Sequence, residues 1–174
     1  MLTFHSAKPG DAALLRSLAE RIWRESYAGV VSAEQMAYMI EWMYSGETLA
    51  RELAEGVCWE LVRLDAEAVG FHSITFGTDG VAKLNKLYLL PEMQGRGLGQ
   101  EMLVRVFALA AGRGAREVRL QVNKANVRAQ RAYDRFGFRR IEEAVFDIGG
   151  GFVMDDFIMA RPVGSGSVSR IAEF

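Results

Sequence analysis

Residues 84–102 constrain the fold of this chain more than any other stretch. An apolar run with strand character at residues 87–90 ends at Pro91, and glycines follow at positions 95, 97 and 99. From residue 100 to residue 111 the apolar side chains recur at helical spacing. The stretch therefore predicts a strand, a glycine-rich loop and a helix whose first N–H groups are unpaired.

Such a loop is suited to bind an anion. Glycines let a ligand approach the backbone amides closely, the helix N-terminus adds partial positive charge, and Arg96 adds a full one. A phosphate or pyrophosphate is the expected ligand, although a plain tight turn remains the alternative. No Gly-Lys-Ser/Thr follows, which argues against a triphosphate loop, and the Gly-x-Gly-x-Gly spacing departs from the dinucleotide fingerprint.

Composition limits the partners. With 174 residues, 50% of them hydrophobic, the chain can bury one substantial core. A net charge of −1 provides no field for nucleic acid or an anionic membrane, so we expect a small-molecule or local peptide partner. The single cysteine, Cys58, forms no internal disulfide, and we expect no metal because His5 and His72 lie in separate predicted strands.

The apolar pattern and the composition also predict the bounds of the domain. Neither a secretory leader nor a long apolar span is visible, so we expect a cytoplasmic location. The Ser/Gly-rich residues 163–174 are expected to form a disordered tail, which leaves one domain over residues 1–162.

Periodicity predicts an α/β chain with an antiparallel first half. Asp11 and Ser32 are placed to cap the first two helices, and Asn126 is placed to cap the last. Residues 84–123 form a strand, a helix and a strand, which predicts parallel pairing of those two strands. The predicted strands cover residues 2–6, 57–64, 68–76, 81–90, 117–123, 138–146 and 152–160.

A second motif follows the glycine loop at a fixed interval. It combines Asn126, an Ala-x-x-Ala-Tyr segment ending at Tyr133, and a Gly-Phe pair at 137–138. Together with Gln94-x-x-Gly97-x-Gly99 after a Leu-Pro strand end, this resembles the coenzyme A motifs of the GNAT superfamily of N-acetyltransferases. The chain has a looser similarity to the bacterial polyamine-type members.

The resemblance implies a fold and a ligand. The fold is a mixed, mostly antiparallel sheet of about seven strands in which strands 4 and 5 are parallel and splay apart, flanked by helices. Acetyl-CoA enters the cleft as co-substrate, and Asn126 and Tyr133 contact it. The remaining coenzyme-binding residues implied by the resemblance are Leu87, Tyr88, Leu89, Gln94, Gly95, Arg96, Gly97, Leu98, Gly99 and Gln100.

The resemblance also implies direct attack of an amine on the thioester in a ternary complex. A phenol with a pKa of about 10 can protonate a departing thiolate whose thiol has a pKa of about 8.5, so Tyr133 is the predicted general acid. Its alternative role is a core aromatic, because it falls on the apolar helix face. The backbone N–H of Leu89 is the predicted oxyanion donor.

The sequence does not identify a general base for this reaction. Many family members carry a glutamate near position 85 or at position 121, but here Asn85 and Gln121 are amides, which accept no proton at neutral pH. A water chain is one alternative, and a carboxylate from elsewhere or His72 is another. The carboxylate candidates are Glu25, Glu41 and Asp147. The missing glutamates also leave open a non-catalytic acyl-CoA sensor on the same fold.

The acceptor site is expected under the first two helices. Carboxylates there suit a cationic acceptor such as a polyamine, although a Met and aromatic stripe is also typical of plain core and scattered charges of a solvated face. The residues do not decide between a monomer and a homodimer. The predicted acceptor-site residues are Tyr27, Trp42, Glu25, Glu41 and His72, with Trp23, Met39 and Tyr44 as further candidates.

Overall fold

A computed structural model describes residues 1–164 of the chain. The α-helices are α1 (Ala12–Ser26), α2 (Ala33–Tyr44), α3 (Gly46–Ala54), α4 (Leu98–Gly112) and α5 (Val127–Phe136). The strands are β1 (Leu2–Ser6), β2 (Cys58–Leu64), β3 (Glu67–Phe76), β4 (Val81–Leu89), β5 (Glu117–Asn123), β6 (Arg139–Gly149) and β7 (Phe152–Pro162).

The seven strands form one sheet in the order β1-β2-β3-β4-β5-β7-β6. Every neighbouring pair is antiparallel except β4 and β5, which are parallel because α4 connects them as a crossover. The predicted mixed, mostly antiparallel sheet with parallel strands 4 and 5 is confirmed.

The parallel pair separates half-way along its length. Partners run only from Val81 with Glu117 to Leu84 with Leu120, and beyond this point β4 and β5 diverge. A register shift in the β3–β4 ladder at Asn85 marks the same position. The divergence leaves a wedge-shaped gap in the middle of the sheet.

Helices cover both faces of the sheet with separate apolar clusters. The helices α1, α2 and α3 pack on one face around the fully buried Trp23, Trp59 and Phe71. On the other face α4 and α5 pack through Phe107 and Phe136 against β4, β5 and β7. This arrangement fixes the ends of α1 and α5 on either side of the wedge.

The helix starts follow the predicted caps in two of three cases. Ser32 Oγ accepts a hydrogen bond from Gln35 N at 3.0 Å, and Asn126 Oδ1 accepts one from Ala129 N at 3.1 Å. Asp11 does not cap α1, because its carboxylate accepts a hydrogen bond from Lys8 N at 2.8 Å in the preceding turn. That earlier bond replaces the predicted cap.

Two predicted boundaries also move. The α4 helix begins at Leu98, two residues before the apolar periodicity starts, because Gly97 is its N-cap. Val163, expected in the tail, donates a hydrogen bond from its amide to Arg116 O at 2.8 Å and packs against the α4 side of the core. The rest of the expected tail, residues 165–174, lies outside the described part of the chain. Within residues 1–164 no helix has the length and apolar character needed to cross a bilayer.

Candidate active site

A cavity of 1330 Å³ opens at the wedge between β4 and β5. Its walls come from the end of α1, from α2 and α3, from the glycine loop with the start of α4, from α5, and from the β6–β7 hairpin. A cavity of this size between two separated parallel strands can hold an elongated ligand and a second small molecule side by side.

The glycine loop forms one end of the cavity. Gly95 and Gly97 have φ values of 79° and 80°, which L side chains rarely adopt, and a Cβ added at either would meet nothing within 4 Å. In the described chain, the amides of residues 95–99 donate to no acceptor. Gln94 Nε2 donates to Leu89 O at 2.8 Å and ties the loop to the end of β4. These open, unpaired amides fit a pyrophosphate.

The free edge of β4 forms the floor of the wedge. Leu90 N donates to Val69 O on the β3 side at 2.8 Å. Because backbone groups of successive strand residues point to opposite edges, the N–H of Leu89 points away from β3 toward the gap left by β5. The same alternation directs the N–H of Leu87 toward the gap, where a pantetheine chain can pair with it.

Tyr133 reaches the cavity from α5. Its ring packs edge-on against Phe138, with centroids 5.7 Å apart, and its hydroxyl makes no hydrogen bond within residues 1–164. Burial raises the pKa of Tyr133, and the neighbouring Tyr27 adds to the rise. The phenol therefore keeps its proton at neutral pH. Gln100 Nε2 donates to Ala132 O at 3.2 Å, which joins the start of α4 to α5 beside Tyr133.

Comparison with known families decides what this arrangement is. The model of the Acetyltransferase (GNAT) family matches residues 16–138, which include the glycine loop, the free edge of β4 and Tyr133. The chain belongs to the GNAT family.

Individual GNAT relatives span nearly the whole chain. An uncharacterized N-acetyltransferase of Mycobacterium tuberculosis is 33% identical over 152 residues, 87% of this chain and 97% of that protein. A spermidine N(1)-acetyltransferase of Thermoplasma acidophilum is 28% identical over 87% of this chain and 91% of its own. The crystal structure of PaiA N-acetyltransferase from Thermoplasma acidophilum with coenzyme A superimposes with a TM-score of 0.79 at 26% identity, covering 93% of this chain and 99% of that one. The protein is an acetyl-CoA-dependent N-acetyltransferase.

The other half of the GNAT cavity holds several of the predicted acceptor residues. Glu25, Tyr27 and Trp42 all line it, and Trp23 joins them. Met39 and Tyr44 are instead buried in the core under α1 and α2. The side chains of this half come from α1, α2 and the β6–β7 hairpin.

Two predicted acceptor residues lie elsewhere. Glu41 faces outward from α2 and accepts a hydrogen bond from Arg16 Nη1 at 2.7 Å. His72 is fully buried, and its Nε2 is 3.0 Å from Glu60 Oε2, beneath α4 on the opposite face of the sheet. Neither side chain lines the cavity, so both predictions are corrected. Glu41 lies on the outward face of α2, and His72 lies on the face of β3 opposite the acceptor half.

Two predicted coenzyme residues contribute only through the backbone. The Arg96 side chain is exposed and its Nη1 lies 3.2 Å from Met93 Sδ, while the Leu98 side chain packs into the apolar cluster with Met102. Neither side chain lines the cavity. The loop thus offers amides and an adjacent charge rather than side-chain ligands.

The two amides at the family's glutamate positions both line the cavity. Asn85 Nδ2 donates to Thr75 Oγ1 at 2.8 Å, and Gln121 lies on β5 across the gap. Among the described residues no group of three or more His, Cys, Asp or Glu side chains is placed to hold a metal ion.

Asp156 is a buried cavity residue that the sequence analysis did not single out. It lines the cavity from β7, its side chain is only 4% exposed, and its Oδ1 has no hydrogen-bond partner in residues 1–164. Burial raises the pKa of Asp156 to about 6, with Asp155 adding to the rise and Asn123 and Lys124 opposing it. The signal was present: in the alternation of β7, Asp156 falls in register with the inward Phe152 and Met154.

Proposed function

We propose that this N-acetyltransferase acetylates a primary amine of a small cationic molecule or peptide, with polyamines as the first class to test. The observation that carries the proposal is that one continuous cavity joins the glycine loop and Tyr133 to an acidic far half. The amine would attack the acetyl group directly, with both substrates bound at once.

The coenzyme half of the cavity would be held mainly by backbone groups. The free amides of residues 95–99 would bind the pyrophosphate, and the edge of β4 at Leu87 and Leu89 would pair with the pantetheine arm. Asn126 and Tyr133 line the same half. Acetyl-CoA supplies the acetyl group as a thioester.

Two groups of the chain would act on the reacting atoms. The N–H of Leu89 would donate to the acetyl carbonyl oxygen as negative charge develops there. The hydroxyl of Tyr133 would give its proton to the departing sulfur. The absence of any other hydrogen bond to that hydroxyl in the described chain supports this role.

The charge of the acceptor half supports a cationic substrate. Within residues 1–164, four cations line the whole cavity, Lys83, Lys86, Arg128 and Arg135, but both arginines lie on α5 with Tyr133 in the coenzyme half. Lys86 is already paired with Glu52, their Nζ and Oε1 atoms being 3.6 Å apart. The similarity to the spermidine N(1)-acetyltransferase points to the same acceptor class. The carboxylates of this cavity are Glu25, Glu52, Glu55, Asp147 and Asp156.

Calorimetric titration with acetyl-CoA, desulfo-coenzyme A and ADP tests the coenzyme half first. We expect both coenzymes to bind well above ADP, because pantetheine adds contacts along β4. Thiol release is then followed with spermidine, an amino alcohol that carries one amine only, and a peptide N-terminus as acceptors. Turnover with spermidine above the other two supports the polyamine class, and preference for the amino alcohol, which lacks a second positive charge, contradicts it.

The same titration separates a second candidate, a non-catalytic acyl-CoA sensor. The observation that favours it is the pair of amides, Asn85 and Gln121, at positions where many relatives carry a base. Tight binding of acetyl-CoA without thiol release to any amine would support the sensor and reject the enzyme reaction.

A further inference from the structure

The cavity contains one carboxylate that is both buried and free. Glu25, Glu55 and Asp147 are exposed to solvent. Glu52 accepts a hydrogen bond from Trp59 Nε1 at 2.8 Å and pairs with Lys86. Among the cavity carboxylates of the described chain, only Asp156 combines burial with an oxygen that has no partner.

A buried carboxylate oxygen without a hydrogen bond is costly to the folded state, because desolvation of the group is not repaid. Such an atom in a substrate cavity indicates a partner that arrives with the substrate. The acceptor half is also the half that lacks an assigned base, since Asn85 and Gln121 are amides.

The surroundings of Asp156 come from several elements. Asn123 is its ladder partner on β5, and Tyr27 closes the space from the end of α1. Lys124 lies on the opposite side of the sheet, where its Nζ binds Asp155 at 2.7 Å and Glu143 at 2.8 Å. The other titratable groups that line the same cavity are Glu25, Glu52, Glu55, Lys83, Lys86, Tyr88, Arg128, Tyr133, Arg135 and Asp147.

We propose that Asp156 is the general base of the transfer reaction and takes a proton from the acceptor nitrogen. This inference rests on the proposed function and adds the general base, which the proposed function leaves unassigned. Asp155, the neighbouring carboxylate, has no such role because it points to the other face of β7 and is held by Lys124.

The proton and bond changes balance with Asp156 and Tyr133 as the two exchanging groups. The neutral amine forms the N–C bond to the acetyl carbon, and the C–S bond breaks. Asp156 takes one proton from the nitrogen, and Tyr133 gives one to the sulfur. The products are the acetamide and the free thiol, and one proton passed from Asp156 to Tyr133 restores both groups.

The test compares Asp156→Asn with Asp155→Asn in the full-length chain. Thiol release with spermidine is measured from pH 5 to pH 10, and acetyl-CoA affinity is measured by calorimetry. We expect Asp156→Asn to lower kcat by about 100-fold or more, as loss of a general base does, with acetyl-CoA affinity unchanged. Below about pH 6 the wild-type kcat/KM should fall more steeply than protonation of the amine alone predicts, and this additional fall should disappear in the variant. Asp155→Asn should retain the rate at neutral pH, and its pH profile should move slightly to lower pH because the charge of Asp155 adds to the raised pKa of Asp156.

With a wild type that acetylates amines, two results would overturn the inference. In the first, Asp156→Asn and Asp155→Asn have equal rates. In the second, Asp156→Asn raises KM and leaves kcat and its pH profile unchanged, as expected for a charge that only binds the acceptor. A wild type that acetylates no amine would instead reject the proposed function. In that case the variants are compared for hydrolysis of acetyl-CoA, where a base predicts a slower Asp156→Asn and equal rates again overturn it.

Discussion

The proposed general-acid role rests on the hydroxyl of Tyr133. Its burial raises the pKa of the phenol, so the proton is present at every pH at which an amine acceptor is partly neutral. We expect Tyr133→Phe to lower kcat by about 100-fold, as loss of a general acid does, and to leave acetyl-CoA affinity unchanged. Thiol-release assays measure kcat, and calorimetry measures the acetyl-CoA affinity.

Tyr44→Phe is the matched control for this substitution. The hydroxyl of Tyr44 is also buried and without a hydrogen-bond partner in residues 1–164, but it lies in the core beneath α2 rather than in the cavity. Its loss should leave kcat unchanged. Equal losses in the two variants would show that Tyr133 acts on stability rather than on the sulfur.

Asp156 also links the site to the stability of the fold. Its pKa in the folded chain is raised from 3.8 to about 6, so the folded state holds the proton more tightly than the unfolded chain. The stabilisation from that proton is complete below pH 3.8 and is lost as the pH rises through about 6. We expect a loss of about 3 kcal/mol over this interval, and Asp156→Asn should remove it.

Urea unfolding of the two chains between pH 4 and pH 7 measures this effect. Asp156→Asn should be the more stable chain at neutral pH, because the amide carries no charge into the buried site. Asp155→Asn, whose carboxylate is half exposed and paired with Lys124, serves as control. A wild type as stable at pH 7 as Asp156→Asn would contradict the raised pKa.

At the scale of elements, the glycine loop depends on backbone shape and on empty space. Gly97 is the N-cap of α4 with a φ of 80°, and nothing lies within 4 Å of an added Cβ. We expect Gly97→Glu to weaken acetyl-CoA binding by at least about 100-fold, because the side chain would place a negative charge in the anion cradle. Calorimetry measures the loss.

Two smaller substitutions separate charge from strain in the loop. Gly97→Ala strains the same left-handed backbone without adding charge, at a cost of about 1 kcal/mol. Gly99→Ala adds a methyl group where φ is ordinary and the space is open, so its affinity should stay near the wild type. If all three substitutions have the same effect, the loop does not bind the pyrophosphate through its amides.

The sequence predicted the elements whose signals are local. The glycine loop, the Asn126 cap and the parallel β4–α4–β5 crossover follow from turn chemistry and periodicity, and the structure has all three. His72 was placed in the acceptor site because its strand was read correctly, but the side that it faces depends on sheet packing. The register shift at Asn85 also changes which sheet face the following β4 residues present, and no local sequence pattern predicts that shift.

Asp156 shows the same limit of prediction from local sequence patterns. Its strand and its inward phase were readable, but an acidic pair at a chain's end is equally typical of a solvated edge. What places it in the cavity is the wedge between β4 and β5 together with the end of α1, and these elements come from separate parts of the sequence. Long-range packing therefore supplied the part of the site that local patterns did not.

At the scale of the whole molecule, a buried ion cluster joins the sheet to α4 on the face away from the cavity. Glu60 on β2 is 3% exposed and accepts two hydrogen bonds from Arg105, at 2.9 and 2.6 Å. His72 on β3 lies 3.0 Å from the same carboxylate. The cluster therefore links three elements through one charge.

The cluster makes the fold sensitive to acid. Burial alone would raise the pKa of Glu60, but the hydrogen bonds and charges of Arg105 and His72 together lower it to about 2. A lowered pKa means that the stabilisation is complete above 4.5 and is lost as the pH falls through about 2. Most of this interval lies below the one in which Asp156 titrates, so the effect of Glu60 is measured between pH 2 and 3.8 and that of Asp156 above pH 4.5.

Glu60→Gln should remove this stabilisation without touching the reaction. We expect the variant to lose about 3 kcal/mol of unfolding free energy at pH 7, because Arg105 and His72 lose their buried partner charge. Its stability should also vary less than that of the wild type between pH 4 and pH 2, and its acetyl-CoA affinity should be unchanged because Glu60 does not line the cavity. Glu41→Gln breaks a surface pair with Arg16 whose carboxylate is 66% exposed, and it should cost less than about 0.5 kcal/mol. An equal loss in the two variants would mean that the cluster gives the fold no more than a surface ion pair does.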